Sequence, residues 1–256
     1  MNPILNIASR AAINSGSYML RCLDQLDKPF LRKKNIYIKN YVQNIIVDTI
    51  KSSYPDHQIM LEGETVEDEV NGYVWIISVL DGENNYFHNM PMFCISIAVK
   101  CNNRIEHGLI YNPSNHEMFT ASRNQGAKLN DKRIRLKKDI IISDSIINIS
   151  IKDLFSNNSQ YDMYKITENI QNIFDIRCIG SIALSLAYLS IGRISGYFTP
   201  NINLLDAAAG SLIAKESGCY ISDYNNGGDF LKVNNIVCAH PRIFPYIIEI
   251  IRKNKR

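Results

Sequence analysis

Between Tyr73 and Asn130 the chain reads as sheet. Three apolar runs of strand length, at 73–80, 93–101 and 105–111, follow one another in quick succession. "YNPSNHEMFTASRNQGAKLN" comes next and places Asn-Pro, His-Glu and Gln-Gly at its bends, which is the turn chemistry of hairpins. Connections this short join antiparallel neighbours, because parallel strands need long crossovers. A largely antiparallel sheet is therefore expected here. Two helical segments precede it. Residues 3–24 carry apolar side chains at helical spacing, and residues 39–53 place Val42, Ile45, Ile46 and Ile50 on one face. "QIMLEGE" reads as a short strand ending in acidic residues.

The second half starts near Ile140. "SIALSLAYLSIGRIS" reads as a helix opened by Gly180-Ser181, and "GYF" as a short strand. "DAAAGSLIAKESG" reads as a helix with Asp206 at its N-terminus and Gly218 as its stop. "IVCAHP" is a last strand, followed by a helix from Arg242. With no internal repeat or flexible linker in view, one domain over 1–256 is expected, in pseudo-halves of about 1–139 and 140–256. Packed layers of helix and sheet are its natural architecture.

At 46% apolar and 21% charged residues the composition is that of an ordinary globular protein, and a net charge of +3 is too small to predict nucleic-acid binding by itself. Six cysteines form no C-x-x-C pair, and five histidines show no zinc-type spacing. Buried free thiols in a reducing cytoplasm are expected. No apolar run is long enough to span a membrane.

Acidic residues fall at three punctuation marks: Glu62 after a strand, Asp81 at a strand-to-turn step and Asp206 at a helix start. Catalytic magnesium sites gather carboxylates from separate elements around a substrate phosphate. The helix starts at Ser181 and Asp206 could add N–H groups for an anion. Singly, each acid is ordinary turn or cap chemistry.

Four stretches carry a stronger signal: "WIISVLDGENNYFHNMPMFCISIAV", "IYNPSNHEMFTASRNQGAKLN", "GSIALSLAYLSIGRISGYF" and "LLDAAAGSLIAKESG". They resemble the inositol monophosphatase family, in its bacterial SuhB branch, over nearly the whole chain. The family motif in the first stretch is W-x-I-D-P-(I/L)-D-G-T-x-N-(F/Y), and in the last W-D-x-A-(A/G)-G. The resemblance implies an α/β (α+β) fold, a layered αβαβα sandwich, and magnesium-dependent hydrolysis of a phosphomonoester. For the SuhB branch it also implies action with Nus factors in antitermination of ribosomal RNA transcription, in support of ribosome assembly. The partners so implied are a Nus-type factor with the RNA polymerase assembly, the ribosomal RNA leader, and a second copy of the chain. The apolar segment at 176–198 is the candidate dimer interface.

Carried over residue by residue, the resemblance places metal ligands at Glu62, the Leu80 carbonyl, Asp81 and Asp206, and substrate contacts at Asp81, Gly82, Gly180, Ser181 and Asp206. Glu62 and Asp81 are then the catalytic carboxylates. Several positions depart from the pattern. The acid beside Glu62 is Gly63, the metal-bridging Asp is Ser78, the Pro after it is Val79, and the water-orienting Thr is Glu83. The Trp of the late motif is Leu205, the Glu that holds a substrate hydroxyl is Thr199, and an Asp that supports an outer metal falls on Lys39. Two divalent ions about 3.5–4 Å apart need bridging anions to coexist. Ser78 offers only a neutral hydroxyl, and Lys39 brings a positive charge. Losing about 4 kcal/mol of transition-state stabilisation slows a reaction roughly a thousandfold. A degenerate site is expected, with at most one weakly held Mg2+ on Glu62, Asp81 and the Leu80 carbonyl.

Three basic clusters, Arg32-Lys33-Lys34, "KRIRLKK" at 132–138 and the tail "RKNKR", read as solvated faces or as contacts for RNA phosphates. Lys132, Arg133 and Arg135 are the candidate RNA contacts. Two functions remain open at this point: an interaction factor in rRNA antitermination with weak or lost phosphatase activity, and a magnesium-dependent inositol-1-monophosphatase.

Overall fold

The computed structural model describes residues 2–23, 35–64, 72–150, 161–228 and 230–255. Arg32-Lys33-Lys34 and Arg256 lie outside these residues. Helices α1 (Pro3–Leu23) and α2 (Asn35–Lys51) lead into β1 (Gln58–Met60), β2 (Tyr73–Asp81) and a single-turn α3 (Glu83–Phe87). The antiparallel run follows: β3 (Cys94–Cys101), β4 (Arg104–Asn112), β5 (Glu117–Ser122), β6 (Gly126–Leu129) and β7 (Lys132–Ile134). The second half contains β8 (Ile146–Ile149), α4 (Met163–Gln171), β9 (Asp175–Arg177), α5 (Ile182–Ser190), β10 (Gly196–Thr199) and α6 (Leu204–Ser217). It closes with β11 (Tyr220–Ser222), α7 (Phe230–Val233), β12 (Ile236–Ala239) and α8 (Phe244–Lys253).

A seven-stranded sheet runs β1 to β7 in chain order, antiparallel except for the parallel β1–β2 pair. A five-stranded sheet has the order β11-β12-β10-β8-β9. Strand alternation builds the layers, since successive residues face opposite sides. Trp75, Ile77 and Val79 of β2 pack with α1 and α2, while Val74 and Ile76 pack with α5 and α6. Tyr197, Ile236 and Cys238 of the second sheet close that central layer from its other side. Phe198, Val237 and Ala239 turn outward onto α4 and α8. The result is the αβαβα sandwich.

The central layer is thin because small residues line it. At Gly210 of α6 a Cβ would lie 2.7 Å from the Leu186 Cβ of α5, and at Gly108 of β4 one would lie 2.9 Å from the Ala209 carbonyl oxygen. Helix α5 is buried from Ala183 to Ser190. Arg177, Cys178, Gly192 and Arg193 of the expected dimer segment at 176–198 are exposed, and the helix between them is consumed by the chain's own core. Its periodicity could not reveal this, because a helix that is apolar all round is one buried on every side.

The sole tryptophan of the chain, Trp75, is fully buried, and its indole N–H donates to His57 Nδ1 at 3.0 Å. His57 stacks on Tyr54 at 4.5 Å and on Tyr73 at 4.7 Å between ring centroids. Accepting at Nδ1 requires a neutral ring with its proton on Nε2. Burial lowers the His57 pKa, with Asp56 opposing and Lys51 assisting. A histidine held neutral adds stability above its ordinary pKa, and this is lost as pH falls through the depressed folded value. Trp75 emission is expected to change in that window and to stay flat there in His57→Gln. A flat wild-type profile between about pH 5 and 7 would show that His57 Nδ1 takes up no proton in that range.

Candidate functional site

Strand β2 carries the site. Its pairing with β3 shifts between Ser78 (opposite Ser96) and Asp81 (opposite Cys94), a bulge of one residue. The bulge turns Asp81 out of the regular alternation at the strand end. Gly82 follows at φ 85°, where a Cβ would sit 2.5 Å from the Met92 carbonyl oxygen. Only glycine fits that turn. Helix α3 starts at once, so Glu83 lies in its first turn. Asn85 ties the turn down, donating to the carbonyls of Met92 (2.7 Å) and Ile179 (2.8 Å). Asn148 of β8 accepts from the Ile179 N–H at 3.0 Å and braces the other side of the Gly180 turn.

Around this turn lies a cavity of about 790 Å3. It brings together Lys39, Glu62, Ser78, Leu80, Asp81, Gly82, Glu83, Gly180, Leu205 and Asp206 from five segments of the chain. Ser181 stands behind the wall, capping α5 with its hydroxyl on the Leu184 N–H. Thr199 is fully buried and bonded to the Asn201 carbonyl, so it does not line the cavity. Asp206 is the third residue of α6, and the cap is Asn203, whose side chain accepts from the Leu205 N–H.

The anion-binding expectation for the helix starts needs correction. The buried Asp81 carboxylate already takes the Ala183 N–H at 2.6 Å and the Ser181 hydroxyl at 2.7 Å, both through Oδ2. Asp206 adds negative charge to the first turn of α6, which disfavours a second anion there. Burial, then repulsion from Asp206, push the Asp81 pKa up to about 7 against the pull of its hydrogen bonds.

The opposite wall contains a cation. Lys39 Nζ donates to Glu62 Oε2 at 2.9 Å and to Glu83 Oε2 at 3.2 Å. Burial pulls the Lys39 pKa down, but the two carboxylates outweigh it and the pKa is raised. These residues do not fit a magnesium pair. Ser78 is neutral, Asp81 is engaged by α5, and Glu62 is engaged by an ammonium. Among the described residues no three His, Cys, Asp or Glu side chains converge closely enough to hold a metal ion. One Mg2+ on Glu62, Asp81 and the Leu80 carbonyl, the arrangement expected above, meets Lys39 first.

Other expected residues scatter. Lys132, Arg133 and Arg135 are exposed at β7, the edge strand of the larger sheet. Arg133 pairs with Lys128 of β6, while Lys132 pairs with Leu129 and by alternation faces the other way. Lys128 was not visible as part of the cluster because it joins through strand pairing. In the tail, Arg252 and Lys253 end α8, where positive charge complements the helix dipole. Cys178 is exposed at the cavity rim, whereas Cys94, Cys219 and Cys238 are buried. Among the described residues no helix is long and apolar enough to cross a membrane.

Known proteins share both the sequence and the shape. A protein from Haemophilus influenzae called Nus factor SuhB is 37% identical over 263 residues, covering 98% of this chain and 97% of its own. Its namesake from Pasteurella multocida is 34% identical over 258 residues, with the same two shares of 98% and 97%. The crystal structure of extragenic suppressor protein suhB from Bartonella henselae superposes with a TM-score of 0.86 at 26% identity, covering 98% of this chain and 99% of that one. The inositol monophosphatase family model matches residues 36–256. The bulged Asp81-Gly82 turn, the five layers and this match agree, and the chain belongs to the inositol monophosphatase family.

Proposed function

We propose that this chain acts in the cytoplasm as a SuhB-type factor of the ribosomal RNA antitermination assembly, with phosphatase activity weak or lost. Full-length similarity to proteins named Nus factor SuhB supports the first part. The Lys39 ammonium lodged between Glu62 and Glu83 carries the second, because it stands among the carboxylates that a magnesium-dependent reaction would use. Partners on this reading are a Nus-type transcription factor, the RNA polymerase assembly, an rRNA leader and a second copy of the chain. The family match supports the alternative, a magnesium-dependent inositol-1-monophosphatase working through Glu62, Asp81 and Asp206.

One set of measurements separates the two. Purified protein is assayed for phosphate release from inositol-1-phosphate across a magnesium titration, and for binding to a Nus-type factor and to leader RNA. No magnesium-dependent release is expected, together with binding to both partners. Chelator-sensitive turnover without partner binding would establish the hydrolase instead. If the β7 edge meets RNA phosphates, affinity should fall steeply with salt, since cations are released on association. Replacing Lys132, Arg133 and Arg135 by Gln should then weaken binding and reduce the salt slope by about one per lost phosphate contact. An unchanged slope would make that edge an ordinary solvated surface.

A further inference from the structure

The cavity is lined by four carboxyl groups, Glu62, Asp81, Glu83 and Asp206, and among its described lining residues Lys39 is the one cation. Glu62 and Glu83 approach one point of its wall, and like charges brought together there need a counter-charge. A loose ion could supply it, but this chain has one attached. Lys39 comes from α2, Glu62 from the loop after β1 and Glu83 from the first turn of α3, so the three meet only in the folded chain. The lysine side chain is 23% exposed, and both contacts fall within ion-pair distance.

We propose that Lys39 is the resident cation of this cavity, occupying the Glu62–Glu83 pair in place of a divalent ion. The proposal gives Glu83 a positive role. A threonine there would offer the ammonium only a neutral hydroxyl, whereas a glutamate completes the second half of its clasp with a charge. The proposal also accounts for how a site with lost ligands persists without an unpaired carboxylate cluster. An attached ammonium acts at an effective concentration of millimolar or more. Free magnesium, held by two exposed carboxylates, must displace this tethered charge in order to bind. Both glutamates are solvent-accessible, at 73% and 42% for their side chains, so the clasp adds little to global stability. Its effect is on occupancy: it closes the site to metal. The inference concerns the same cavity as the proposed function and deepens its second half. Its test uses no substrate, so a failed phosphatase prediction and a failed lysine prediction are separate results.

The test is Mn2+ binding, read from loss of the free-ion electron paramagnetic resonance signal, on the full chain and two variants. Lys39→Met keeps the stem and removes the charge, and Lys39→Gln serves if that variant does not fold. Removing a positive charge within about 4 Å of an incoming dication is worth at least about tenfold in affinity, even at the screening of water. Lys39→Met is therefore expected to bind Mn2+ at least about tenfold more tightly than the wild-type chain. Adding Glu83→Gln should cancel that gain. Wild-type protein binding Mn2+ as tightly as Lys39→Met would overturn the proposal, as would a gain that survives Glu83→Gln.

Discussion

Combining Ser78→Asp, Glu83→Thr and Lys39→Asp is expected to raise magnesium-dependent phosphate release from inositol-1-phosphate by on the order of a thousandfold over the parent chain. That factor corresponds to about 4 kcal/mol of transition-state stabilisation regained. Ser78→Asp alone should restore little. It supplies a carboxylate at the β2 bulge, but Lys39 still pairs with Glu62 and Glu83, and no threonine orients the water. Adding Glu83→Thr should help more than either single change, because bridge and water serve one step and their effects couple. It also takes away one of the two carboxylates holding the ammonium. Lys39→Asp should matter most when added last, since only then is there a bridged pair of ions for its charge to oppose. Rates for the parent, each single variant, the double and the triple decide the matter. A parent as active as the triple would mean that the site was never broken. An inert but folded triple would move the loss outward, to the cavity wall at Leu205.

Asp81→Asn is expected to stabilise the fold at pH 8 by about 2–4 kcal/mol. The Asp81 pKa stands at about 7 in the fold against an ordinary value of 3.8, chiefly because of burial and secondly because of Asp206. A carboxyl whose pKa is raised on folding binds its proton more tightly in the native state. Its contribution is therefore fully present below about pH 4 and is lost as pH rises to about 7. A gap of about three pH units is worth at most about 4 kcal/mol. Asparagine escapes this cost. Its Oδ1 can still accept from the Ser181 hydroxyl and the Ala183 N–H, and it carries no charge to set against Asp206. Urea unfolding with a chelator present, at pH 5 and pH 8, should show the variant's advantage growing with pH. An equal loss of stability at both pH values would mean that the ionised carboxylate is a net stabiliser of α5.

The local parts of the fold were legible in the residues. The strands at 73–80, 93–101 and 105–111 appear within one or two residues of their observed ends, and Gly218 stops α6 in the left-handed conformation. Gly180-Ser181 opens α5 as its composition suggested. These signals are short-range: periodicity, turn residues and caps act over a few positions. The short elements β9, β11 and α7 carried too little pattern to be found, and their place is set by packing on the second sheet and on α6, whereas α4 had a cap at Asp162 and apolar residues Met163, Ile166 and Ile170 at helical spacing and went unread. The Asp81-Gly82 turn was likewise readable as the end of an apolar strand, while the bulge before it and the helical turn after it came only with the structure.

What the sequence by itself determined, then, is which backbone turn forms at Asp81-Gly82 and which family motif it matches. Only the tertiary structure decided what that turn holds. Lys39 reaches Glu62 and Glu83 across 23 and 44 residues of chain, and Asp81 reaches Ser181 and Ala183 across 100 and 102. An ammonium read in isolation opposes a metal; read between two carboxylates it replaces one. The difference lies in separations of about 3 Å, at which an ammonium and a carboxylate are in direct contact and attract each other most strongly. No local pattern encodes such a distance. It arises when α2, β2 and α5 are packed around one cavity.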